Sequence, residues 1–230
     1  MTETSRWARR RGAAALGACF AAGLLPGAGA AQEDERIPTI PSGVAAVLLP
    51  VQESRPTAAG AWPGGAGSER NTVDLLNAEL AFAFGEEKGT EFWAFPDAVA
   101  QRLRRNPTIR VDAGRLSYHG LLREPDERAQ IYEPLHSQLR QIAALFNARI
   151  VVLPLSVYYR PPTEEERLAA SESGASEPPL GRAVLLTAVI DVRRSAVLWH
   201  GTIESQPGEP GSRGVLTTLA LNAARWLVPS

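Results

Sequence analysis

Cysteine and lysine are almost missing from this chain of 230 residues, with Cys19 and Lys88 the only examples of each. One cysteine cannot form an intrachain disulfide. The glycine-rich stretch Gly64-Gly65-Ala66-Gly67-Ser68 has no lysine after it, which excludes a G-x-x-x-x-G-K-[ST] phosphate loop, and it lacks the third glycine of a dinucleotide fingerprint. Histidine is scarce, and His119, His136 and His200 show no H-x-x-x-H or H-E-x-x-H spacing that would bring two imidazoles to one metal. No serine sits in a G-x-S-x-G elbow. Apolar runs stop short of the roughly 20 residues that a membrane-spanning helix needs. Excess positive charge is absent too: the net charge is −1, which offers nucleic acid no basic footprint.

What remains is 44% hydrophobic and 21% charged, the balance of a globular protein. Residues 1–30 read as a secretory signal peptide. Arg6, Arg9, Arg10 and Arg11 form a positive start, 12–25 is apolar, and Ala28-Gly29-Ala30 fits the small-residue cleavage pattern. Cleavage there removes four arginines and Glu3, which leaves 20 basic and 24 acidic residues and a net charge of −4. It also removes the one thiol. Leu16-Gly17-Ala18-Cys19 resembles a lipobox, whose use would leave a lipidated cysteine at the new terminus instead. However, the apolar run before Cys19 is short and apolar sequence continues to Leu25.

Residues 31–43, with Pro38 and Pro41, read as an extended lead-in, and 44–230 as a single domain. Within it, 44–51 is apolar without helical period, as in a strand covered on both faces. A Gly/Pro/Ala-rich loop at 52–70 precedes a helix over 71–87, where Leu76, Leu80 and Phe84 recur every fourth residue. Short strands are expected at 91–96 and 108–112, and Asp97 is placed to cap a helix that Asn106-Pro107 ends. Ile131, Leu135, Leu139, Ile142 and Phe146 mark one face of a helix opened by Asp126, with Pro134 forcing a kink or a late start. A strand at 149–155, a loop at 160–181 with a Thr163…Glu166 capping box, a hairpin of 183–191 and 196–204, and a helix from Ser212 complete the chain. In the second hairpin strand Val197, Trp199 and Ile203 are expected on one side, with His200, Thr202 and Glu204 on a wet one. The fold class is α/β: one mixed sheet of about five strands covered by helices, ending in a hairpin and a terminal helix.

Two groups of side chains invite a chemical reading. Asp112, Ser117 and His119 are the residue types of nucleophilic catalysis within 107–125, but they are brought together only by sequence proximity, and triads are defined by geometry. Among the tryptophans, Trp199 and Trp226 fall on apolar sides of their elements and belong in the core, while Trp62, with Phe92 and Trp93 nearby, is left open as a contact residue. No residue stands out as catalytic, cofactor-binding or metal-ligating.

Asn147-Ala148-Arg149-Ile150-Val151-Val152 after a Leu/Ala-rich helix, Ile190-Asp191-Val192 turning into Val197-Leu198-Trp199, and an initial Val47-Leu48-Leu49-Pro50 together resemble an envelope domain. It is the α/β domain shared by curli-secretion-type lipoproteins and the amino-terminal domain of the Tol-system β-propeller protein. The resemblance covers 44–51, 127–159 and 182–227, with Arg193-Arg194-Ser195 in place of the usual hairpin-turn glycine. It implies a non-enzymatic role in envelope assembly or secretion, through envelope proteins or self-association, without cofactor or nucleic acid. The alternative is an envelope hydrolase or small-ligand binder with its site in 107–125. The expected address is the periplasm or the exterior, with membrane contact only if Cys19 is lipidated. Intact-mass measurement of the exported protein is expected to show a chain beginning near Ala31; an acylated Cys19 at the terminus would establish a lipoprotein instead.

Overall fold

In the computed structural model residues 40–55, 68–122, 130–174 and 178–228 are described. The signal-peptide region, most of the lead-in, Trp62 with the Gly64–Gly67 stretch, and Asp126 lie outside them. The described residues belong to one compact unit, Arg36–Ser230.

The strands are β1 (Ala46–Leu48), β2 (Glu53–Ser54), β3 (Trp93–Ala94), β4 (Ile150–Arg160), β5 (Arg182–Asp191) and β6 (Ala196–Glu204). The helices are α1 (Ser68–Glu86), α2 (Pro96–Arg105), α3 (Leu135–Leu145), α4 (Glu164–Glu172) and α5 (Arg213–Leu227), with a 3-10 turn at His119–Leu122. They form one mixed sheet in the order β3-β1-β4-β5-β6, with β2 pairing further along β4. β1 is parallel to β3 and β4, while β4, β5 and β6 are antiparallel neighbours. Pro50, which has no amide to donate, separates β1 from β2. Even so, Leu49 and Gln52 on either side of it still bond the carbonyls of Val152 and Pro154 (3.0 and 3.1 Å).

β4 is apolar on both faces because both are covered. On one face Ile150, Val152 and Val157 pack with Leu76, Leu80 and Phe84 of α1 and Leu216, Leu219 and Leu227 of α5. On the other, Val151, Leu153 and Leu155 pack with Leu135, Leu139 and Ile142 of α3 and Val99 of α2. Each such side chain, fully buried, contributes about 1.5–3 kcal/mol, so these two layers hold the fold.

Local chemistry sets the element ends. The capping box forms as the sequence predicts: Thr163 Oγ1 accepts from the Glu166 amide (3.2 Å), and Glu166 Oε2 accepts from the Thr163 amide (2.7 Å). That amide, with the Arg160 guanidinium, holds the Glu166 carboxyl at about 2. α3 starts late, at Leu135, and the stripe residue Ile131 is buried just before it, its amide donating to the Ser195 carbonyl (3.0 Å).

Four expectations are corrected. No strand forms at 108–112; Ile109 instead closes a turn on the Asn106 carbonyl (3.0 Å). Asp97 is not the cap of α2, because Pro96 takes the first helical position, which suits its missing amide, and Phe95 precedes it. Trp226 is 51% exposed: Ala220, Ala223 and Ala224 centre the buried stripe of α5 and rotate it to the flank. Val197 and Trp199 do not share a face. Trp199 pairs with Val189 and Val197 with Ile190, so the extra residue, Leu198, forms a bulge. Val197 therefore packs on the α3 side and Trp199 on the α1/α5 side.

At the β5–β6 turn, Asp191 has no side-chain exposure. Its Oδ2 accepts from Nε and Nη2 of Arg149 (2.8 and 2.7 Å), and its Oδ1 from the amides of Arg193 and Arg194 (3.0 and 3.1 Å). The carboxylate thus fills the turn amides that a glycine-based turn would leave to water, and Ser195 closes the turn with φ +54°. Burial pushes the Asp191 carboxyl up, but the Arg149 guanidinium and the two amides outweigh it and hold the group below its usual range. A depressed carboxyl contributes stability that is present above its unfolded pKa of about 3.9 and lost as pH falls through the folded value. Asp191→Asn should therefore cost about 1–3 kcal/mol at pH 7. It should also flatten the loss of stability below about pH 4, as read from urea midpoints across pH; an unchanged acid limb would contradict the assignment.

Candidate functional site

β1 sends its chain to α1 on one face of the sheet and its neighbour β3 sends its chain to α2 on the other. In open α/β sheets such a switch leaves a crevice beyond the carboxyl ends of the two strands. A crevice of about 690 Å³ lies there. Pro50 lies at its base, Asp74, Asn77, Ala78 and Ala81 of α1 form one wall, Pro96, Asp97, Ala100, Leu103 and Arg104 of α2 the other, and Ile109 with 111–114 the remaining side. Alanines at the wall positions leave the space between the helices open. Among the described lining residues the charged groups are Asp74, Asp97 and Asp112 against Arg104.

The base is fixed by two amide side chains. Asn77 Oδ1 accepts from the Val51 amide (2.8 Å). Gln52 donates through Nε2 to the carbonyls of Pro50 (2.7 Å) and Ala113 (2.9 Å) and accepts at Oε1 from the Leu116 amide (2.9 Å). That one side chain ties the 113–116 segment to the end of β1. Beside it Tyr118 donates to Glu53 Oε2 (2.6 Å), and Arg55 pairs with the other carboxylate oxygen. Burial and the neighbouring carboxylate both push the Tyr118 phenol up. Burial raises the Glu53 carboxyl, but the Tyr118 and Arg55 bonds outweigh it and keep it low.

Asp112, Ser117 and His119 are not brought together. Asp112 borders the crevice with Oδ1 on the Gly114 amide (2.9 Å), Ser117 donates its amide to Gln138 Oε1 (3.0 Å), and His119 packs on the Tyr118 ring (4.8 Å between centroids). Among the described residues no hydrogen bond joins any two of the three. The other two histidines are half-buried. His200 meets the Leu121 carbonyl at 2.6 Å, so the strand face expected to be wet is partly roofed by the 3-10 turn.

His136 Nε2 lies 2.6 Å from Ser195 Oγ, and its Nδ1 lies 3.6 Å from Glu133 Oε1. Sequence reasoning missed this constellation because Ser195 is 59 residues from His136 and belongs to a hairpin turn. The unusual Arg193-Arg194-Ser195 turn was the one available signal. No group of three or more His, Cys, Asp or Glu that could hold a metal occurs among the described residues, and none of their helices is long and apolar enough to cross a membrane.

No protein-family model matches this sequence, and neither does any curated protein. Solved structures similar to it include two PelC dodecamers from Paraburkholderia phytofirmans. They are 13% and 14% identical, with 83% of this chain covered in each case, 94% and 93% of theirs, and a TM-score of 0.34 for both. A likeness at that level fixes neither activity nor assembly.

Replacing Gln52 with Leu should leave the Leu116 amide without its acceptor and cost about 1–3 kcal/mol. It should also speed hydrogen exchange at Leu116 with little change on β5; equal acceleration at both would show that Gln52 does not act locally.

Proposed function

We propose that this chain is an exported cell-envelope interaction module that holds a basic segment of a partner protein in the crevice between α1 and α2. The observation that carries the reading is the crevice itself, open to solvent at the switch point of the sheet. Its base is fixed by Asn77 and Gln52, so little ordering is left to be done on binding. The excess of Asp74, Asp97 and Asp112 over Arg104 favours a positively charged occupant. Apolar surface stands nearby: Leu75 and Phe82 on α1 are 38% and 65% exposed, and Phe92, beside the edge strand β3, is 64% exposed. Contact residues of this kind suit a protein partner. The signal-peptide pattern and the resemblance to envelope domains support the address.

The test is photo-crosslinking in the producing cell, with a crosslinking residue at Ala78 and a control at Leu168 of α4. A defined protein adduct from position 78, absent from position 168 and abolished by Ala100→Trp, is the expected result. The same adducts from both positions would refute the groove. A small molecule retained in native mass spectra and lost in Ala100→Trp, with no protein adduct, would establish the ligand-binding alternative in its place.

A further inference from the structure

The opposite end of the sheet carries a second arrangement that the crevice does not involve. The register places Asp191 opposite both Ile150 and Ala196, so the β5–β6 turn lies at the end where β4 begins. Here Ser195 Oγ and His136 Nε2 are 2.6 Å apart, and Glu133 Oε1 faces the other ring nitrogen at 3.6 Å. Glu133 is itself held: Ser137 donates its hydroxyl to Oε1 (2.8 Å) and its amide to Oε2 (3.3 Å). Ser195 sits at φ +54°, a conformation that a non-glycine residue adopts at a cost of about 1–3 kcal/mol. The Ser195 carbonyl is fixed by the Ile131 amide (3.0 Å), so the strained turn is pinned from both sides. A hollow of about 460 Å³ opens beside the pair, and Arg140, Asn147 and Arg193 line it.

We infer that Ser195, His136 and Glu133 form a nucleophilic site for acyl transfer from an ester that carries negative charge. The three have the order of a serine nucleophile, its base, and a carboxylate orienting that base. In the tautomer that carries its proton on Nδ1, toward Glu133, His136 accepts the Ser195 proton at Nε2. Ser195 Oγ then bonds to the ester carbonyl carbon, and the carbonyl oxygen takes the electron pair. Collapse of that intermediate breaks the C–O bond to the alcohol, which leaves with the proton from His136. Water, deprotonated by the same nitrogen, releases the acid and restores Ser195. Among the described residues Arg140 and Arg193 line the hollow as cations, and they set the preference for an anionic substrate.

Labelling with a fluorophosphonate tests this on the mature protein, with the modified residue located by peptide mass mapping. A single adduct on Ser195 is expected, formed at least about 100-fold more slowly in His136→Gln while the melting temperature stays near that of the parent. Glu133→Gln should move the pH midpoint of labelling, and that shift separates catalysis from a merely structural latch between the turn and α3. An unmodified Ser195, labelling of Ser117 at the same rate, or an undiminished rate in a folded His136→Gln variant would each overturn the assignment.

Discussion

The carboxylate of Asp191 closes the end of the sheet at which three of its strands meet. It lies opposite Ile150 at the start of β4 and Ala196 at the start of β6, and it accepts hydrogen bonds from Arg149 and from the turn that joins β5 to β6. A charge removed from water to this degree is tolerable only when partners fill its oxygens, and here each oxygen has two. Its position therefore sets the register of β4, β5 and β6 at once. A one-residue slip would send Val152 and Leu185 to the α3 side and Val151 and Ile190 to the α1/α5 side, exchanging the two cores. The bulges at Leu155 and Leu198 fall inside this locked frame, where they re-aim side chains without shifting the strands.

The parallel side of the sheet is built differently. β1, β2 and β3 have three, two and two residues, and the chain beyond them is held by the side chains of Gln52 and Asn77 as much as by strand pairing. Short strands ending in crossovers to opposite faces leave space between the helices they feed, and the alanines at 78, 81 and 100 keep it open. A rigid antiparallel frame thus supports an open crevice at one end and carries the Ser195–His136 pair at the other.

Much of this architecture is legible in the amino acids. The four-residue spacing of Leu76, Leu80 and Phe84, the two-sided apolar run of β4 and the Thr163–Glu166 box each encode a local structure with a single physical reading. Where the reading goes wrong, a tertiary or neighbouring term has won. Leu198 bulges because β5 and β6 accommodate an extra residue, an event that a period-two pattern cannot register. Residues 108–112 look like a strand by composition, yet their backbone enters the turn after α2. The groups with chemistry are harder still. Asp112, Ser117 and His119 are neighbours in sequence and make separate contacts, while Ser195 and His136 are far apart in sequence and in hydrogen-bond contact. Proximity along the chain was the wrong guide because loop backbone can aim successive side chains anywhere.

Native-state hydrogen exchange on the protein tests most directly the claim that Asp191 locks one end of the sheet. Turn amides ordinarily exchange fast, since water is their partner. If the buried carboxylate holds this turn, the amides of Arg193 and Arg194 will be protected to the same extent as the β4–β5 ladder and will open only with it. Rapid exchange of those two amides in a molecule whose ladder stays protected would contradict the account: the turn would then be an ordinary surface loop, and the register of the sheet would have to be set elsewhere.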